Sequence, residues 1–391
     1  MAIQTLKGNI GEWSEIYTFL KVLSDGKLDV ADEKLNAVPG EFYKIIAILR
    51  KEAESNNSYF REQDCIHIYV QNHKTHEVEE FKSTIIEFAN NAKLLFEHLK
   101  NGAGRSRQYP DIESFLSTLK IHSIKDVGNK RDITIKIEDF HCGLQQTLGF
   151  SIKSLIGKNS TLFNAGKGTN FIYNITFPSG TSFDMDAFNR ETYKAKEGKI
   201  TARIVRLESE YGAKIKFSGV QSPRFYQNLL MIDMGMPVVM GEMLLAKYRY
   251  KLNTVRRCVE KLNETNPLHF DLSLGQPFYE YKIKRFLQDS AMGMTSEATW
   301  TGTYDATGGQ IIVKDSGDIV CYHIYEQNRF LNYLLDCTYF EQPATSEDAS
   351  RPGHARPGAK KDFNYGWVYA EGGQYWLKLN LQVRMRDISA K

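Results

Sequence analysis

The run Arg131-Asp132-Ile133-Thr134-Ile135-Lys136-Ile137-Glu138 and the later run Gly149-Phe150-Ser151-Ile152-Lys153-Ser154 decide how this chain is read. In the first, Ile133, Ile135 and Ile137 alternate with other residues at the period of a strand, so the isoleucines share one face and Asp132 sits on the other. In the second, Phe150 and Ile152 share a face while Ser151 and Lys153 point the opposite way. Asp139-Phe140-His141-Cys142-Gly143 supplies turn chemistry between them. The two runs predict a hairpin over about 131 to 155, with a carboxylate on one strand and a lysine on the next. That spacing suits a divalent metal held over a phosphodiester. The metal needs carboxylate oxygens, and a nearby ammonium can orient water and stabilise charge on the phosphoryl group. One carboxylate is a thin ligand set, and a further acid from a helix under the sheet would strengthen it.

Working outward, residues 11 to 24 read as an amphipathic helix, with Trp13, Ile16, Tyr17, Leu20 and Leu23 at spacings of three and four. Asp25-Gly26 ends it. Glu15 flanks the apolar stripe and can reach a sheet edge where a strand starts. Glu12 and Glu15 are equally well read as first-turn acids that favour the helix dipole. A second helical pattern runs over 41 to 54 through Phe42, Ile45, Ile46 and Leu49, and a third over 78 to 100. Residues 66–70, 171–175 and 213–217 read as strands, 224–264 and 279–291 as helical, and the last hundred residues as β-rich. The fold class is therefore α/β (α+β), a mixed central sheet flanked by helices with helical and β-rich elaborations.

A chain of 391 residues suggests two domains or one elaborated domain. Its 42% hydrophobic and 25% charged content can build a core without staples. With 50 basic against 47 acidic residues, bulk charge does not announce a nucleic-acid binder, so any such role rests on local clusters. Lys247, Arg249, Lys251, Arg256 and Arg257 form one cluster. Arg351, Arg356, Lys360 and Lys361 form another, in a Pro/Gly-rich loop without acids. Each reads either as a solvated face or as a nucleic-acid contact. Five scattered cysteines without Cys-x-x-Cys predict neither a disulfide framework nor a structural zinc site. His67, His73 and His76 are explained by a strand with a polar turn. Gly166-Lys167-Gly168-Thr169 lacks the upstream glycine of a phosphate loop. There is no signal-peptide pattern, and no apolar run approaches the roughly 18 residues of a membrane span, so no membrane role is expected.

The ordered segments carry a resemblance. Gly11-Glu12-Trp13-Ser14-Glu15-Ile16-Tyr17, the Asp132 strand with Leu148-Gly149-Phe150-Ser151-Ile152-Lys153-Ser154, and Thr169-Asn170-Phe171-Ile172-Tyr173 come first. Phe340-Glu341-Gln342-Pro343 and Lys378-Leu379-Asn380-Leu381-Gln382-Val383-Arg384 lie nearer the C-terminus. Together they resemble the HpaII-like type II restriction endonucleases of the PD-(D/E)xK nuclease superfamily. The resemblance implies a nuclease core over 1–220 with inserted helices at about 35–125. It implies a helical segment and a β-rich, DNA-recognising and core-completing region over 221–391. Asp132 matches the metal-binding aspartate, Lys153 the superfamily lysine, and Glu15 a first-helix glutamate that acts as an extra ligand. Ser151 stands where the superfamily usually has an acid, with Asn170 and Gln145 as polar substitutes. Arg131 replaces the proline before Asp132.

The resemblance further implies Mg²⁺-dependent hydrolysis of double-stranded DNA at a short GC-rich site, with Mn²⁺ able to substitute. A homodimer on DNA, a cognate DNA methyltransferase and a prokaryotic cytoplasmic setting are implied with it. Asn170, Arg351, Arg356, Lys360 and Lys361 would contact DNA. Two rival readings stay open: a methylcytosine-directed endonuclease of the same fold, and a decayed DNA-binding protein.

Overall fold

A computed structural model describes residues 5–102, 104, 106–127, 131–140, 142–157, 159–191, 198–304, 306–343 and 365–389. The chain begins with α1 (Ile10–Asp25), β1 (Lys27–Ala31), β2 (Ala37–Lys51), β3 (Ser55–Arg61), β4 (Cys65–Asn72) and β5 (Val78–Thr84). Next come α2 (Ile85–Asn101), α3 (Pro110–Thr118), β6 (Ile133–Asp139), β7 (Gln145–Ser154), β8 (Ser160–Phe163) and β9 (Asn170–Thr176). They are followed by α4 (Met185–Arg190), α5 (Lys199–Ser209), β10 (Lys214–Val220), α6 (Pro223–Ile232), α7 (Met236–Arg249), α8 (Val255–Thr265) and α9 (Phe278–Ala291). The chain closes with β11 (Gly309–Val313), β12 (Ile319–His323), α10 (Gln327–Cys337), β13 (Thr338–Phe340), β14 (Val368–Glu371), β15 (Gln374–Asn380) and β16 (Val383–Met385). Two compact units result: Met1–Ser160 with Tyr304–Tyr333 and Arg386–Lys391, and Thr161–Thr303 with Leu334–Met385.

The first unit is built on a nine-stranded mixed sheet in the order β1-β12-β11-β7-β6-β2-β3-β4-β5. β1 also pairs with β2, so six strands from β1 round to β2 are joined edge to edge in a closed ring. Closure leaves no open edges there. Beyond the ring the sheet runs out to β5, whose exposed Glu79 and Glu80 are charges that discourage pairing with another chain. The expected hairpin forms, with Ile133 opposite Phe150 and Ile135 opposite Leu148. Ile133, Ile135, Ile137, Phe150 and Ile152 all enter the core that α1 covers.

Helix α1 begins at a capping box, in which Asn9 accepts from the N–H groups of Gly11 and Glu12 while Glu12 accepts from the Asn9 N–H. It ends at Gly26, whose φ of 71° suits a left-handed C-cap. Trp13, Ile16, Leu20 and Leu23 are fully buried, as the stripe predicts. The Trp13 indole N–H donates to Arg107 O at 3.1 Å, and Phe19 meets Tyr59 edge to face at 4.8 Å.

Two expected helices are corrected. Residues 41 to 54 are mostly strand β2, so the 35–125 stretch carries four strands before its helices. A bulge between Ile45 and Ala47 adds a residue against β6, so the core-facing positions are Tyr43, Ile45 and Ile48. The extra residue breaks strict alternation and imitates helical spacing. The helix expected from 78 starts only at Ile85. There Thr84 and Glu87 form a capping box, and the residues before it are β5.

The second unit holds a four-stranded antiparallel sheet, β10-β9-β15-β14, and a three-stranded sheet, β13-β16-β8. Helices α4 to α9 accompany them. Phe163, Phe171 and Phe225 pack ring against ring in its core. Much of the basic cluster of 247–257 is paired or buried within the unit, while Arg257 stays exposed. Arg249 grips Glu208, Arg256 pairs with Asp336, Arg257 reaches Glu260, and Lys247 is buried. Among the described residues no single helix is long and apolar enough to cross a membrane.

Gly308 and Gly309 set β11 against β7. A Cβ on Gly308 would stand 2.6 Å from the Phe150 ring. Gly309 has a φ of +113°, and a Cβ there would lie 2.0 Å from Tyr322 O. Gly309→Ala should therefore cost on the order of 3 kcal/mol and lower Tm by roughly 5–10 °C. A thermal melt within 1 °C or so of the parent's would remove this account of the β11 entry.

Candidate active site at the β6–β7 hairpin

Asp132 immediately precedes β6. Its N–H donates to Phe150 O at 3.1 Å, which places it across from Ser151. Its Oδ2 accepts the Ile152 N–H at 2.6 Å and the Ser151 hydroxyl at 3.2 Å. Ser151 is thus a donor that steadies Asp132. The two bonds engage one carboxylate oxygen and fix the group against β7.

The first helix brings Glu15 to the same place. A cavity of about 10 Å³, the space of about one water molecule, is lined by Glu15, Phe19, Arg50, Asp126, Asp132 and neighbouring apolar side chains. Burial pushes the Glu15 carboxyl up to about 8, and the charge of Asp132 adds to the rise; Lys125 and Arg50 oppose it. Glu12, one turn earlier, does the capping and also pairs with Lys125 at 3.0 Å. The dipole-and-cap reading therefore holds for Glu12, while Glu15 is turned to the cavity. A structural bond keeps Ser14 Oγ 2.9 Å from Ser154 Oγ and seats the helix on β7.

None of the other expected residues that are described lines this cavity. Lys153 is half-buried on β7, two residues beyond Ser151 and on its face by alternation, and it does not line the cavity. Gln145 lies at the far end of β7, where its amide donates to Glu138 at 3.0 Å. Asn170 belongs to the second unit, buried among amides: its Oδ1 accepts from Asn380 at 2.7 Å and its Nδ2 donates to Gln221 at 2.9 Å. Arg351, Arg356, Lys360 and Lys361 lie outside the described residues.

Three neighbours are not legible in the sequence. Asp126 is buried beside the cavity and accepts the Lys51 N–H at 2.7 Å. Arg50 is buried and committed to Glu52 at 2.7 Å. Gln310, fully buried on β11, is in register with Ser151 and sets a carboxamide strand-to-strand beside it. None sits in a motif; only the acid at 126, shortly before the Asp132 strand, offers a signal.

Glu15, Asp126 and Asp132 line one cavity and offer carboxylate oxygens, the donor type a hard divalent cation takes, although among the described residues these three do not bring their ligand atoms within 4.8 Å of one another. Two carboxyl groups crowded together and partly desolvated are also a charge arrangement that such a cation relieves. The donor type and the crowding of Glu15 by Asp132 suit a divalent metal, which would draw the carboxylates together.

The family model described as HpaII restriction endonuclease matches residues 9–385. The type II restriction enzyme HpaII of Haemophilus parainfluenzae is 37% identical over 379 residues, 96% of this chain and 98% of that protein. No solved structure matches the chain.

The raised pKa of Glu15 has a stability signature. Its unfolded value is near 4.5 and its folded value about 8, so between these the unfolded state holds fewer protons and stability falls as pH rises. Glu15→Gln removes the burden. In EDTA it should be more stable than the parent at pH 8.5 by on the order of 1–3 kcal/mol. The gain should shrink toward zero near pH 4.5. Thermal melts across this range check it, and a gain independent of pH would count against the crowded pair.

Proposed function

The chain belongs to the HpaII restriction endonuclease family, and from that premise we propose how this type II site-specific deoxyribonuclease cuts DNA. Asp132 and Glu15 hold Mg²⁺, for which Mn²⁺ can substitute, Lys153 orients the attacking water, and Ser151 anchors Asp132. The observation that carries the proposal is the shared cavity of Glu15 and Asp132, with Glu15 raised by burial and by its acidic neighbour.

The cation, when bound, supplies Lewis-acid polarisation of the scissile phosphate and makes hydroxide accessible near neutral pH. The chain's own groups do the rest. The Lys153 ammonium donates to the attacking water and sets positive charge where negative charge builds on the phosphoryl oxygens. The Ile152 N–H and Ser151 hydroxyl hold Asp132 in one orientation, so its carboxylate needs no rearrangement during reaction. Glu15 replaces the acid missing at position 151. It must release its proton before it can ligate, so cation affinity and cleavage rise with pH toward about 8.

The substrate is double-stranded DNA with a short GC-rich site, and the segments beyond residue 220 read it. Arg351, Arg356, Lys360 and Lys361 supply phosphate contacts in a stretch without acids. Cutting both strands of a symmetric site calls for two active centres, which a homodimer provides. A cognate methyltransferase protects the host DNA, and the enzyme works in a prokaryotic cytoplasm.

Digestion of plasmid DNA in Mg²⁺ with sequencing of the ends tests the reading. Asp132→Ala and Lys153→Ala should each slow cleavage by about 10²–10⁴-fold, with DNA affinity in Ca²⁺ retained. Ser151→Ala should cost only about tenfold, the worth of one hydrogen bond to a charged group. Normal cutting by the Asp132 or Lys153 variant ends the assignment. Cleavage of methylated plasmid alone would replace it with the modification-dependent reading.

A further inference from the structure

We propose that Glu62, Cys65 and His67 form a second cation site, on the β3–β4 turn, that takes a borderline-soft divalent ion of the zinc type. It is separate from the all-oxygen hairpin site and does not rest on how that site works. β3 ends at Arg61 and β4 starts at Cys65, and the Glu62 N–H closes the turn on Cys65 O at 2.9 Å. Cys65 and His67 are two apart on one strand, so both present to the same face, and Glu62 faces them from across the turn. One ligand atom from each of the three lies within 4.8 Å of the others.

The histidine supplies the independent observation. His67 is only 9% exposed, and its Nε2 is buried without a properly directed hydrogen bond, although Glu62 Oε2 is 2.9 Å away. A nitrogen buried in this way costs stability unless something accepts its lone pair or proton. A metal ion between the imidazole and the carboxylate would do so. Behind the ring, Nδ1 faces Glu80 Oε1 at 3.7 Å. That is beyond hydrogen-bond reach, but once an ion between Glu62 and Nε2 takes that nitrogen the ring proton moves to Nδ1, where a small rotation brings the Glu80 carboxylate into contact, the arrangement usual behind a metal-bound histidine.

The donor chemistry selects the ion. Cys65 is an unbridged, half-buried thiol, and thiolate with imidazole prefers zinc-type ions to Mg²⁺. Bonds of about 2.0–2.3 Å put tetrahedral ligand atoms roughly 3.3–3.8 Å apart, so small side-chain rotations are enough. Glu62 is exposed, which leaves an entry path and room for water as a fourth ligand. Occupancy would clamp the turn of the hairpin that extends beyond the closed strand ring.

The full chain, stripped with EDTA, can be titrated with Co²⁺ as the probe. One equivalent per chain should give thiolate-to-cobalt charge-transfer absorption with tetrahedral d–d bands, and Zn²⁺ should displace it and raise Tm. Cys65→Ser should abolish the charge-transfer band, and His67→Ala should weaken binding by about 10–100-fold. Glu62→Gln alters only an exposed side chain and keeps the test open if another variant fails to fold; it should weaken binding about tenfold. Cys142→Ser and Asp132→Asn should leave the band intact. No thiolate band, a band that survives Cys65→Ser, or one lost with Cys142→Ser would overturn the proposal.

Discussion

Three carboxyl groups, those of Glu15, Asp126 and Asp132, line a space barely large enough for one water molecule, and the first unit is arranged to keep them there. Left alone, Glu15 and Asp132 would separate, because burial and like charge both disfavour the ionised pair. Helix α1 cannot retreat. Trp13, Ile16 and Leu20 are fully buried beneath it. Each such side chain is worth roughly 1.5–3 kcal/mol of burial, so together they outweigh the strain of the pair. The hairpin cannot retreat either, since Asp132 is tied to β7 by backbone and side-chain donors. Stability from the core is thus converted into a fixed, reactive geometry.

Much of this is legible in the sequence, and the part that is not shares a physical cause. The hairpin can be read because alternation over 133–137 is a local property with a period of two. Helix α1 can be read for the same reason at a period near 3.6. Strand β2 reads as a helix because one bulged residue shifts its phase, and only pairing with β6 reveals the shift. Asp126, Arg50 and Gln310 reach the hairpin from separate segments, and no spacing rule links them to it. Glu15 shows the boundary most clearly. Its sequence position admits both a dipole role and a ligand role; packing gives the cap to Glu12 and turns Glu15 to the cavity it shares with Asp132.

The serine at position 151 changes the charge of the centre more than its shape. A carboxylate there would have added a further acid directly against Asp132. A hydroxyl instead donates to Asp132 and lowers the repulsion the pair must bear. The basic residues of 247–257 make a parallel point in the second unit. As a sequence they look like a nucleic-acid stripe, yet Arg249, Arg256 and Arg257 are each matched to an acid of the same unit. A run of like charges is a statement about composition, and its partners are set by the fold.

The pairing of β11 with β7 has a consequence in time. The strand that bears Ser151 and Lys153 is flanked on one side by β6, made just before it, and on the other by β11, which begins about 155 residues later. At a synthesis rate of about 5–20 residues per second, β7 keeps an open edge for about 8–30 s. During that interval its unpaired backbone is a template for chance association. The nascent chain therefore carries the hairpin proposed to cut DNA before it carries the strand that completes its support. Ring closure, and with it a rigid hairpin, is deferred until β12 has been made.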